Sequence, residues 1–186
     1  MQHYDTVAQF FHQHIEHLSL SVDAIADVAS NTATRAAQTI FSEGKVMVCG
    51  AGADAAAAIL LTDLLRSGVE RERPVLPVLE LCARHTQPLD GGVQWISQQV
   101  AALGQPGDFA IVFASALDTH QLDLLANAYL KRQVDAVWIG LQGPGLSLTF
   151  PGADASTALT LSTASAVCLA TLIDINTFGP MEDSPL

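Results

Sequence analysis

The apolar positions Tyr4, Val7, Phe10, Phe11, Ile15 and Leu18 recur at intervals of three and four, which predicts an amphipathic helix over residues 4–18 with a polar back. Ser21 is placed to cap a second helical segment. Thr32 is placed to cap a third, which runs through Arg35, Ile40 and Phe41 and stops at Gly44. Beyond Gly44 the period changes. Short apolar runs at 46–49, 78–81, 109–114, 136–139 and 146–150 read as strands, and helical segments near 54–66, 93–103, 119–132 and 155–178 alternate with them. Strands that are apolar along their whole length are buried on both faces. The pattern therefore predicts a mainly parallel five-stranded sheet between two helical layers, a three-layer αβα sandwich. Residues 1–44 are the N-terminal helices, expected to pack on the domain and between subunits, and 45–186 the α/β domain, the whole forming one folding unit.

Composition narrows the function. The 186 residues suffice for one sizeable core, and 49% apolar against 15% charged residues excludes a disordered chain. Eight Lys and Arg against 19 Asp and Glu give a net charge of −11, which opposes nucleic-acid phosphates and anionic lipid, so neither is an expected partner. Cys49, Cys82 and Cys168 are scattered through apolar stretches and show neither disulfide nor metal-ligand spacing. The start, Met1-Gln2-His3-Tyr4-Asp5, has no secretory signature, and a cytoplasmic location is the expectation. The uncharged stretch 155–173 is rich in Ser, Thr and Ala, so it reads as a buried or interfacial helix rather than a membrane span.

In a parallel sheet, ligands bind beyond the carboxyl ends of the strands. Gly50-Ala51-Gly52-Ala53-Asp54-Ala55 places two glycines between a strand and a helix, where backbone can approach a ligand closely. A tight turn alone also demands glycines. As a G-x-G-x-x-A dinucleotide fingerprint the loop lacks its acidic partner, because Glu80 comes later than the usual 20 or so residues. After the third predicted strand, Ser115, Asp118, Thr119 and His120 stand at the matching place.

Gly50 to Ala56, the segment Glu70-Arg71-Glu72-Arg73-Pro74-Val75-Leu76-Pro77, the run Val100 to Asp108 and Leu172-Ile173-Asp174-Ile175-Asn176-Thr177-Phe178 together resemble sugar-isomerase (SIS) proteins of the phosphoheptose isomerase and DnaA initiator-associating (DiaA) kind. The resemblance spans nearly the whole chain. It implies the SIS fold, a homodimer or homotetramer built through the N-terminal helices with Phe10, Phe11 and Ile15 in the interface, a sugar-derivative pocket and, from the DiaA branch, a replication-initiator-like protein partner. It implies no metal or other cofactor.

The family pattern breaks where the chemistry should be. The loop serine of G-N-G-x-S is Asp54 here, and in the second loop, S-T-x-G-N-S, Leu117 replaces the glycine and Asp118 the asparagine. A carboxylate about 4 Å from a phosphate costs roughly 4 kcal/mol at an effective dielectric near 20, about a thousandfold in affinity. Asp54 and Asp118 are expected instead to cap the helices they begin, as anions the protein carries itself. The family's proton-transferring glutamate and histidine fall on Leu64 and Ser162, which cannot exchange protons, and Asp63 points about 100° away from its neighbour. No residue is therefore assigned a catalytic role. His14 and His17 are spaced to share a metal, but with His12 they read as a solvated or subunit-contacting face. His85 and His120 read as surface, with His120 a candidate pocket contact. The segment 77–108 is shorter than in the relatives, which alters the pocket rim. The chain is thus expected to be a non-catalytic SIS protein acting through protein contacts or on an altered sugar derivative; the rival is an isomerase or sugar-phosphate sensor with a rearranged pocket using Ser115, Thr119 and His120.

Overall fold

The computed structural model describes residues 2–68, 71–83 and 92–180. In chain order the elements are α1 (Gln2–Phe41), β1 (Val46–Ala51), a 3-10 turn (Gly52–Asp54), α2 (Ala55–Ser67), β2 (Val78–Ala83), α3 (Val93–Leu103), β3 (Phe109–Phe113), α4 (Thr119–Lys131), β4 (Asp135–Ile139), β5 (Leu146–Leu148) and α5 (Ala155–Phe178). Every strand pair is parallel and the order is β2-β1-β3-β4-β5. The αβα expectation is met.

Alternation along the strands divides the core into two. Val46, Val48, Phe109, Ile111, Phe113, Val137 and Ile139 face α1, α2 and α5, while Met47, Cys49, Ala110, Val112 and Trp138 face α3 and α4. Both faces are dry, which is why the strands read as unbroken apolar runs.

The N-terminal region departs from expectation. It is a single 40-residue helix, about 60 Å long at the usual rise, not three segments. Thr32 does not cap anything; its hydroxyl donates to the Val28 carbonyl at 2.7 Å, and Thr34 does the same to Ser30 at 2.9 Å. Such i−4 bonds let hydroxyl residues sit inside a helix while looking, in sequence, like its start. The C-terminal half of α1 supplies Ala29, Ala33 and Ala36 to the core; the N-terminal half leaves Tyr4, Phe11 and Ile15 exposed.

Helix α5 is long and apolar enough by composition to cross a bilayer, with mean hydropathy 1.7, yet its Leu161, Ala166, Leu169, Ala170 and Ile173 are built into the core. Asp154 caps it by accepting the Thr157 amide at 2.7 Å. Its far end is fixed by the two arginines of the resemblance segment. Arg73 is buried, pairs with Asp174 at 2.8 Å and donates to the Leu65 and Leu64 carbonyls at 2.9 and 3.1 Å, while Arg71 donates to the Phe178 and Gly179 carbonyls. Arg73 thus closes the C-terminus of α2 against α5.

Candidate functional site

From β1 the chain leaves in one direction to β2 and in the other to β3, so the carboxyl ends of β1 and β3 flank the topological switch point where such sheets bind ligands. Two loops meet there: Gly50 to Asp54 after β1, and Ala114 to Asp118 after β3. Gly50 is required by packing, since a Cβ there would lie 2.6 Å from the Asp54 carbonyl oxygen and 2.9 Å from the Ala58 Cβ. Gly52, at φ +60, faces open space.

Asp54 is the centre of the arrangement and does not cap α2, contrary to expectation; its side chain makes no bond to that helix's amides. It is fully buried, and reaches across to the second loop, where one carboxylate oxygen accepts the Ser115 hydroxyl and the other accepts the Ala116 amide at 2.7 Å. Burial pushes its pKa up from the ordinary carboxylate value; the bonds from Ser115 and Ala116 oppose that rise. The Ser115 and Ala116 donors are thereby held by the protein's own carboxylate.

Asp118 behaves as expected. It accepts the Gln121 amide at 2.8 Å while Gln121 returns its side-chain oxygen to the Asp118 amide at 3.0 Å, a complete capping box on α4. Asp118, Thr119 and His120 are exposed at the rim, and Leu117 is buried among Leu122, Leu125 and the core on the α3 side. Leu117 therefore anchors the second loop where the family has a mobile glycine. Sequence reasoning missed Gly140, whose φ is +100 and where a Cβ would fall 2.6 Å from that of Ser115. Only glycine lets the end of β4 back the Ser115 turn; the signal was a lone glycine directly after an apolar strand.

The remaining candidates lie apart from this crevice or cannot act in it. Leu64 is half-buried against the core, Ser162 is wholly buried with no partner for its hydroxyl among the described residues, and Asp63 faces Arg66 at 3.9 Å on the surface. Burial pushes the Cys49 thiol up to about 12, so it is no nucleophile at neutral pH. Glu80 sits within β2 opposite Val48 and pairs with Arg66 at 3.6 Å, not at the end of a strand where a ribose would need it. His14 is buried with its Nδ1 2.7 Å from the Phe10 carbonyl and its ring 4.0 Å from that of Phe10. Among the described residues no three His, Cys, Asp or Glu side chains converge to hold a metal. Glu70 and His85 lie outside the described residues. Clefts of 390 and 410 Å³ open toward the amino ends of β3, β4 and β5, share Arg35 and Asp135, and contain none of the predicted site residues.

The chain is 26% identical to the DnaA initiator-associating protein DiaA of Photorhabdus laumondii, over 96% of its own length and 98% of that protein's. It is 25% identical to the phosphoheptose isomerase of Methylococcus capsulatus, over 96% of its length and 100% of the isomerase's. The chain is similar, over nearly its whole length, to SIS proteins of the phosphoheptose isomerase and DiaA kind. The fold agrees: the phosphoheptose isomerase structure from Francisella tularensis superposes with a TM-score of 0.82 at 22% identity, covering 94% of this chain and 99% of that one. No protein-family model matches the chain. The Asp54 bridge lies in the two loops, after β1 and after β3, for which the sequence resemblance implies a phosphate seat.

Proposed function

We propose that this SIS protein is non-catalytic and cytoplasmic, and acts through contacts between its own copies and with a protein partner. The observation that carries this reading is the buried Asp54 carboxylate holding the Ser115 hydroxyl and Ala116 amide, the donors an incoming phosphate would need. Leu64 and Ser162 stand where the family moves its proton, and neither is an acid or base near neutrality. A relative is named for association with the initiator DnaA, which supports an initiator-type protein as the partner class. The exposed Tyr4, Phe11 and Ile15 supply an apolar surface for assembly.

Calorimetry of the purified protein with heptose and hexosamine phosphates, alongside an isomerase assay, tests the reading. Neither micromolar binding nor turnover is expected. Turnover of any sugar phosphate overturns the non-catalytic reading in favour of a rearranged pocket built on Ser115, Thr119 and His120.

A further inference from the structure

At the end of the sheet opposite the Asp54 crevice, the C-terminal half of α1 flanks the amino ends of β3, β4 and β5. The clefts of 390 and 410 Å³ that open there each fall within the roughly 300–1,000 Å³ of small-molecule sites, and Arg35 and Asp135 line both, so the two adjoin. One wall is moulded on Trp138. That residue is buried, its indole N–H donates to the Pro144 carbonyl at 3.1 Å, and Gly143 lies so close over the ring that a Cβ there would overlap it. Gly145, next along this wall, has nothing within 4 Å of where a side chain would begin. The hollow is therefore built into the fold rather than opened by a ligand.

The two clefts differ in character. Leu130, Val134 and Leu146 line the first, and Leu130 is 75% exposed. Gln38, Thr39, Ser42 and Gln133 line the second. Where they meet, the Arg35 guanidinium donates to the Asp135 carboxylate at 3.4 Å, with side chains 51% and 80% exposed. A long, exposed pair of this kind contributes little to stability, so opening it for a ligand costs little. Lys45, Arg71, Arg73 and Arg132, by contrast, are committed to buried carboxylates or to backbone carbonyls. Charge then narrows the occupant. A simple anion on Arg35 would meet Asp135 beside it and Asp108 in the same cleft, and a simple cation on Asp135 would meet Arg35. A molecule that carries both charges side by side replaces one weak pair by two, and the guanidinium fork matches a carboxylate.

We infer that the joined clefts are a second ligand site, which takes a small zwitterion with an apolar side chain, an α-amino acid of leucine or phenylalanine size. Its carboxylate sits on Arg35, its ammonium on Asp135, and its side chain enters the apolar cleft against Leu130, Val134 and Leu146. The site shares no residue with the Asp54 crevice and stands whether or not the crevice binds phosphate.

The chain's two tryptophans supply a reporter and a control, since Trp138 backs the cleft wall and Trp95 lies on α3 outside both clefts. The full chain labelled with fluorotryptophan, its two resonances assigned with Trp95→Phe, is titrated with L-leucine and L-phenylalanine by fluorine NMR. The Trp138 resonance should shift saturably with a dissociation constant on the order of 1 mM, as suits a ligand of about ten heavy atoms in an open site, while Trp95 stays in place. Isocaproate, isoamylamine and glycine, which lack the amine, the carboxylate and the side chain in turn, should bind at least about tenfold more weakly. Arg35→Gln and Asp135→Asn should keep the wild-type Tm and lose about tenfold or more in leucine affinity. No saturable Trp138 shift by about 20 mM of either amino acid, or an equal shift of Trp95, overturns the site. Full leucine affinity in both variants overturns the assigned contacts. Isocaproate or inorganic phosphate binding as tightly as leucine overturns the zwitterion in favour of a plain anion.

Discussion

At the residue scale, Asp54 decides what the crevice is. Its pKa is raised in the fold, so the stability it contributes is fully present below its unfolded value near 3.8 and is lost as pH rises through the folded value. Urea midpoints of wild type should therefore fall over that window relative to Asp54→Asn, which keeps the shape without the charge; parallel profiles would refute a buried titrating carboxylate. Asp54→Ser frees the Ser115 and Ala116 donors and removes the repulsion, so sulfate affinity should rise by about tenfold or more by calorimetry, short of the roughly thousandfold set by an effective dielectric near 20 because Ser115 is half-exposed and partly screened by water. Asp118→Ala, which removes a cap and no bridge, should cost about 1 kcal/mol and leave sulfate binding unchanged. The sequence placed Asp54 in the right loop but with the wrong partner. A cap is a local event legible in four residues, whereas the Asp54 bridge exists only because β3 returns beside β1 and brings Ser115 within reach.

At the element scale, strands and the later helices were legible because burial on both faces forces unbroken apolar runs and because Gly68 and Gly104 stand directly after α2 and α3. The start of the chain was not, since Ser21 and Thr32 carry the same side chains whether they begin a helix or bond back inside one. The resemblance segments around Arg73 and Asp174 gave no hint of their joint role, which is to lock α2 to α5. Arg73→Ala should cost about 3–5 kcal/mol, because Asp174 is left charged and buried. At 2–4 °C per kcal/mol for a domain of this size, Tm should fall by roughly 6–20 °C in calorimetry. The double variant Arg73→Met/Asp174→Leu should recover most of that loss; if it does not, the arginine acts through the α2 carbonyls rather than the ion pair.

At the scale of the molecule, charge and apolar surface oppose each other. Each copy carries −11, so bringing two together costs repulsion that grows as ionic strength falls, while burial of the exposed apolar stripe of α1 is indifferent to moderate salt. Assembly should therefore strengthen with salt: sedimentation equilibrium between about 20 and 300 mM salt, where the screening length shrinks from roughly 20 to 6 Å, should show the dissociation constant falling. Because the proposed assembly is one of folded chains, Tm should also climb with protein concentration, and more steeply at the higher salt. Association that weakens with salt would mean that attraction between opposite charges, rather than apolar burial, holds the copies together, and the aromatic stripe of α1 would then need another explanation.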